Sequence, residues 1–401
     1  MASTLSTDAA ASGLVSPARW LVPLSALIFL GFLTVGLPLA VLPSQIHGVL
    51  GFGATVVGIA MGAQSLATLL MRPFAGTMAD AEGARGTVLK GLFACALTGV
   101  VYLVSLWCSA MPIISLFVLI AGRILLGLGE SMLITAAMAW GIGLTGPQNS
   151  ARVIAWSGIA IYGAMAVGAP LGVVVNDAFG FAGVSVAASL VALLAVPFIV
   201  MLRPVAPSAQ HRLPFYRVLG LVWLPGLGVA MATAGFAMLV AFVTLLFAEQ
   251  RWANAAWALT LFGAGYIIVR LLFAGLPDRL GGTRVAVVSL AVEALGQVLL
   301  WHAADPTTAF VGAALTGGGY SLVLPSFGVE VIRRTPPQSR GSALGAFVAF
   351  WDLTMGIAAP IGGIFAAATG YSTVFLIGFC AAIMGIMVAC ILHSLQGSRS
   401  V

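Results

Sequence analysis

The 401-residue sequence is short of charge: Asp, Glu, Lys and Arg together make up 7% of it, against 61% hydrophobic residues and a mean hydropathy of +1.12. A soluble domain of this size needs far more polar surface, so that class is excluded. Cysteine is also sparse. Cys95, Cys108, Cys380 and Cys390 fall in or at the ends of apolar runs without Cys-x-x-Cys spacing, which points to small packing residues rather than a disulfide framework or a metal centre. No Gly-rich stretch ends in Lys-Ser or Lys-Thr, so ATP hydrolysis within this chain is not expected. His47, His211, His302 and His393 are scattered over loops and interfaces, which makes a membrane-embedded enzyme the most distant reading. Neither a metal nor a cofactor is called for. The first nineteen residues lack a basic start followed by a short apolar core, so no cleaved signal peptide is expected.

What the chain has instead is a succession of apolar runs, each long enough to cross a bilayer as a helix. They fall near 20–42, 54–75, 87–108, 112–141, 150–175, 181–202, 218–247, 254–276, 284–302, 308–332, 341–367 and 372–395. The expected fold is therefore an all-α, twelve-span integral membrane protein. Basic residues in short loops stay on the cytoplasmic side. With both termini placed in the cytoplasm, all but two of the 17 Lys and Arg residues fall in cytoplasmic loops, tails or adjoining helix ends. Arg251 lies outside and Arg123 lies within a span. The net charge of +6 is thus a topology signal, and nucleic acid is not an expected partner.

The sequence also repeats. Arg72 is followed by Asp80 and Gly83, and Arg270 by Asp278 and Gly281 with the same spacing, at an offset of 198. Pro147-Gln148 precedes Pro170 by the interval that separates Pro337-Gln338 from Pro360, at an offset of 190. Two nearly equal offsets argue for duplicated six-helix halves. The organisation read from this is a cytoplasmic tail over 1–19, a bundle over 20–202, a Pro-rich basic connector over 203–217, a second bundle over 218–395 and a tail over 396–401.

The stretch GTMADAEGAR, with Gly76, Asp80, Gly83 and Arg85, resembles the first inter-helix loop of the major facilitator superfamily, with Ala81 where a basic residue is usual. A second copy, AGLPDRLGGTR, keeps Asp278, Arg279, Gly281 and Arg284, with Gly275 one residue closer than the leading Gly of the pattern. Arg123 and Gly127 are similar to a fourth-span pattern of the twelve-helix drug/proton antiporter branch, with Leu126 in place of a frequent Gln. Gly168, Pro170 and Gly172 resemble that branch's fifth-span Gly-Pro motif, interrupted by Ala169, and Pro360 and Gly362 mirror it. Longer strings resemble bacterial sugar-efflux-like permeases. The resemblance implies a monomeric exporter of a small molecule driven by protons, in a bacterial inner membrane. It also implies that Asp80 latches the first half to the start of the eleventh helix, with Asp278 mirroring it at the fifth. A carboxylate at a helix N-terminus is favoured by the helix dipole, which gives such a latch a physical basis.

Within GRILLGLGES, residues 122–131, Arg123 and Glu130 are seven residues apart and so project from one helical face, about 10 Å apart along the axis. That is too far for a helical pair. A central Arg costs about 2.5–3.5 kcal/mol on insertion scales, so the face that carries it should line a wet cavity or meet opposite charge. Asp352, in FWDLTMG, is expected at comparable depth. Arg123 is assigned to holding an anionic group or a buried carboxylate, and Glu130 or Asp352 to exchanging a proton. Gln64, Tyr162, Tyr266 and Tyr320 are candidates for lining the same pocket, whereas Glu293 and Gln297 read as a local hydrogen-bonded pair on a peripheral helix. Import or facilitated transport by the same fold is the alternative to proton-coupled efflux. No cluster in the sequence selects a substrate.

Overall fold

The computed structural model describes residues 18–146, 149–205, 215–335 and 340–397. Helices account for nearly all of them, and no strand occurs among the described residues. This follows from the composition: in hydrocarbon every backbone N–H and C=O must be satisfied within its own segment, which a helix achieves. The spans are α1 (Ala18–Leu39), α2 (Ala54–Ala81), α3 (Ala84–Trp107), α4 (Pro112–Thr145), α5 (150–179), α6 (181–194, continued by Val196–Met201), α7 (Phe215–Glu249), α8 (Ala256–Phe273), α9 (Gly282–Trp301), α10 (Pro306–Ser321, continued by Val323–Arg334), α11 (Arg340–Thr369) and α12 (Val374–Gly397). Among the described residues eleven helical runs are long and apolar enough to cross a membrane. The run that contains α5 and α6 is broken at Gly180, where φ is 66° and only glycine is at ease, and that break makes twelve spans.

Local chemistry sets the ends. Pro112 and Pro306 open α4 and α10 in the first-turn position that needs no N–H. Asp305 caps α10, accepting from Thr308 N at 3.0 Å, and this bond together with the Thr308 hydroxyl holds its carboxyl below the usual range. Gly83 and Gly281 turn the chain into α3 and α9 with φ of 91° and 92°, so the repeated loop has one backbone conformation in both copies.

The helices form two pseudo-symmetric six-helix bundles, α1–α6 and α7–α12. Each major packing pair recurs six helices on: α1 with α5 and α7 with α11, α3 with α4 and α9 with α10, α2 with α4 and α8 with α10, α3 with α6 and α9 with α12. The bundles meet where α2 packs on α11 and α5 on α8. Small residues allow the approach. Gly62 faces Gly356 O in the first contact, and Thr260 donates to Ala166 O at 2.7 Å in the second, and these residues match at offsets of 198 and 190. α1 and α7 are buried along most of their length, whereas Leu70, Phe93, Phe117, Phe179 and Val200 point outward toward lipid. Pro147, Gln148, Pro337, Gln338 and most of the 203–217 connector lie outside the described residues.

A central cavity with a charged wall and an aromatic wall

The candidate site is a narrow cavity between the bundles, lined by residues of α1, α2, α4, α5, α7 and α11. Its charged wall is built where α4 leans on α2. A Cβ on Gly127 would lie 2.1 Å from Gln64 O, so glycine is required there for the helices to touch. Thr68 Oγ1 fastens the crossing by donating to Gln64 O and Gly127 O, each at 3.1 Å. The contact sets Gln64 Nε2 against Glu130 Oε2 at 2.5 Å. Arg123, two turns away on the same face, is 2% exposed. Its Nε donates to Ala60 O at 3.3 Å, its Nη2 approaches Met61 Sδ at 3.6 Å, and the Tyr102 hydroxyl lies beside the guanidinium. Arg123 and Glu130 line the cavity together without forming an ion pair with each other.

Asp352 is fully buried on α11 and does not meet Arg123. It accepts from Arg72 Nε at Oδ2 and from Arg72 Nη2 at Oδ1, the latter at 2.9 Å, in a bidentate tie between the two bundles. Sequence reasoning placed Arg72 among the helix-end residues that report topology. Its position nine residues before the end of α2, two and a half turns inside the helix, was the available signal for a deeper role. Its repeat mate Arg270 is buried too, and donates from Nη2 to Tyr266 Oη at 2.5 Å.

The opposite wall is aromatic. Tyr162 donates to Tyr320 Oη at 3.4 Å, and Trp351 Nε1 also donates to Tyr320 Oη. Tyr162 lies against Tyr266 with ring centroids 3.9 Å apart, and Phe236 stacks on Phe262 at 4.9 Å and on Tyr320 at 5.3 Å. Phe236 and Trp351 reach the cavity itself. Phe236, one of 22 phenylalanines, carried no signal in the sequence.

The other expected residues lie elsewhere. Gly76 and Asp80 occupy the last turns of α2, with Asp80 partly buried, Gly83 caps α3 and Arg85 is exposed in its first turn. Ser339, at the expected α11 end of the latch, lies outside the described residues, as does the side chain of Arg340. In the second copy Asp278 and Arg279 are exposed in the short helix Leu276–Leu280, Gly281 caps α9 and Arg284 is exposed. The fifth-span motif packs within its own bundle: a Cβ on Gly168 would lie 2.7 Å from Gly36 C, and one on Gly172 only 1.8 Å from Leu37 O. Pro170 sits in α5 beside them. Pro360 packs on Gly58 and Gly62 across the bundle interface, whereas Gly362 faces Met238 on α7.

Glu293 and Gln297 share the interior of the second bundle. Gln297 Nε2 donates to Gly235 O and Thr316 Oγ1, each at 3.3 Å, while both Glu293 oxygens and Gln297 Oε1 have no partner. Among the described residues no three His, Cys, Asp or Glu side chains could hold a metal ion.

Comparison with known proteins agrees with this architecture. The family model of the Major Facilitator Superfamily matches residues 24–253 and 226–399. An uncharacterised MFS-type transporter of Salmonella typhimurium is 44% identical over 372 residues, covering 93% of this chain and 95% of its own length. Another, from Burkholderia pseudomallei, is 43% identical over 380 residues, 95% of this chain and 93% of that protein. Among solved structures, the human organic anion transporter MFSD10 superposes with a TM-score of 0.71 and a point-mutant form of the nucleoside transporter NupG with 0.74. Each is 15% identical and covers 93% of this chain and 99% of its own, a likeness that speaks to the fold. Buried charge facing a cavity between two repeated bundles, with the family match along the whole chain, leads to one conclusion: the chain belongs to the Major Facilitator Superfamily and is a membrane transporter, not an enzyme.

Proposed function

We propose that the protein is a proton-coupled secondary transporter that carries a small molecule by alternating access and exports it against proton entry. The observation that carries this reading is the placement of Glu130. It is a buried carboxylate on the cavity wall, held by one hydrogen bond from Gln64 and by no ion pair, and so free to take up and release a proton as the cavity changes exposure. Asp352 suits that role less well, because both of its oxygens are occupied by Arg72. The transporting halves are residues 20–202 and 218–395, joined by a cytoplasmic connector, with both termini cytoplasmic, in a bacterial inner membrane and as a monomer. Rocking of one half on the other opens the cavity to each side in turn. Asp80 and Asp278, with Gly76, Gly83, Arg85, Arg279, Gly281 and Arg284, form the loops that latch the halves at the cytoplasmic end.

The test is proton movement in everted vesicles challenged with a chemically broad solute panel, comparing the wild type with Glu130→Gln. Dissipation of a pH gradient by a solute in the wild type alone supports coupling through Glu130. Solute movement without proton movement in the wild type overturns it in favour of a uniporter.

A further inference from the structure

The two bundles match helix for helix, but the chemistry at their equivalent helix crossings does not. Offsets of 198 for α2 and α8 and of 190 for α4 and α10 superpose the two crossings, since Gly127 meets Gln64 O as Gly317 meets Phe262 O. At these equivalent positions the first bundle carries Gln64, Thr68 and Glu130, and the second carries Phe262, Tyr266 and Tyr320. An amide, a hydroxyl and a carboxyl are replaced by three aromatic rings. Arg123 matches Ala313, so the cation has no counterpart on the other side.

Arg123 is the least satisfied group on the polar wall. Arg72 and Asp352 neutralise each other, and Glu130 is bonded to a neutral amide. Arg123 is 2% exposed and faces the cavity, and its contacts are a backbone carbonyl, a thioether and the Tyr102 hydroxyl, none of them an anion. A buried cation without an anion is expensive, and an anionic ligand group offsets that cost with charge-assisted hydrogen bonds. Phe236 and Trp351 line the same cavity, and an aromatic lining favours a second aromatic ring.

We infer that the transported solute is a small aromatic carboxylate, with its acid group on Arg123 and its ring against Phe236 and Trp351. This rests on the proposed transport cavity and adds the substrate class.

Binding is tested on the purified full-length protein in lipid nanodiscs by thermal stabilisation, with phenylacetate, cyclohexylacetate and phenylacetamide as matched probes. Phenylacetate raises the melting temperature, the amide does so at about 10- to 100-fold higher concentration or not at all, and the saturated acid is intermediate. Arg123→Gln abolishes the preference for acid over amide, and Phe236→Leu, which leaves the charge in place, abolishes the preference for the aromatic ring over the saturated one. The inference is overturned if the amide binds as well as the acid, if Phe236→Leu leaves ring discrimination unchanged, or if none of the three stabilises the protein. Binding needs no proton coupling. Acid binding without proton movement in vesicles therefore sinks the proton-coupled reading alone, whereas proton movement driven only by non-acidic solutes sinks the substrate class alone.

Discussion

Neutralising either end of the Arg72–Asp352 tie is expected to open the cavity toward the α2–α3 loop. The pair lies two turns beyond Gln64 on α2 and beside Trp351 on α11, at the loop end of the cavity, and it joins one bundle to the other. At the 2.9 Å separation of Nη2 and Oδ1 the attraction is about 6 kcal/mol at an effective dielectric of about 20. Most of this offsets the desolvation of Asp352, whose side chain is fully buried, and of Arg72, whose side chain is 20% exposed. Removing one partner of a buried pair costs about 3–5 kcal/mol, and the partial exposure of Arg72 places this pair near 3 kcal/mol. If that energy is present only when the two bundles touch here, its loss raises the open population roughly 100-fold, until opening ceases to be rare. The assay is the alkylation rate of a cysteine at Ser65→Cys, on the cavity wall, by a membrane-impermeant maleimide. It uses vesicles that present the α2–α3 loop, with Cys108, Cys380 and Cys390 replaced. Asp352→Asn and Arg72→Gln should each label faster and melt at lower temperature, because each leaves one buried group unpaired. The double variant should label as fast as the singles and recover much of the melting temperature, because no charge remains orphaned. Unchanged labelling in all three variants would refute the claim that the tie holds the cavity shut.

Three further outcomes follow from packing. Gly172→Ala places a methyl 1.8 Å from Leu37 O, a backbone atom that cannot step aside, so it should lose about 1–3 kcal/mol in thermal unfolding; Gly362→Ala meets only side chains, the flexible Met238 and the edge of the Phe242 ring, and should lose less, and equal losses would contradict the argument. Gly62→Ala drives a methyl to 2.3 Å from Gly356 O across the bundle interface, and should speed labelling at Ser65→Cys while leaving the melting temperature closer to wild type than Gly172→Ala does. Glu293→Gln keeps the shape of a fully buried side chain whose oxygens have no partner, so stability should hold or rise by about 1 kcal/mol, and a large drop in melting temperature would show that the carboxylate is engaged.

The fold was legible because its signals are redundant. Each apolar run is bounded by its own breakers, and the expected spans agree with the helices to within a few residues, since hydropathy and backbone satisfaction in lipid act within single segments. Only the boundary between α5 and α6 is faint in the backbone: the helix continues through Gly180 with a single non-helical residue, where the sequence led to a loop near 176–180. The repeat was legible for the same local reason, since Gly83 and Gly281 serve one turn geometry wherever it occurs. The site was legible by residue type and not by partner. Buried charge in an apolar run singled out Arg123, Glu130 and Asp352, but nothing local showed that Asp352 would meet Arg72, 280 positions away in sequence. That pairing depends on the close approach of α2 to α11, which Gly58, Gly62, Gly356 and Pro360 permit by letting the backbones touch.

The same reasoning explains why the tie is polar where its surroundings are tightly packed. Between α2 and α11, glycine against backbone gives close contact without interlocked side chains, so the surfaces can part without repacking a core. Such contacts come and go together and favour no single register by themselves. A bidentate Arg–carboxylate pair adds what they lack, because its geometry is met at one register and lost within a few ångströms. Between α5 and α8 the matching position to Asp352 is Tyr162, and Arg270 turns to Tyr266 on its own helix. Among the described residues the second interface has no charge pair to break, and ring packing and the Thr260–Ala166 hydrogen bond hold it. Of the two seams, α2–α11 carries the charged, orientation-dependent contact, and α5–α8 is held by rings and a neutral hydrogen bond.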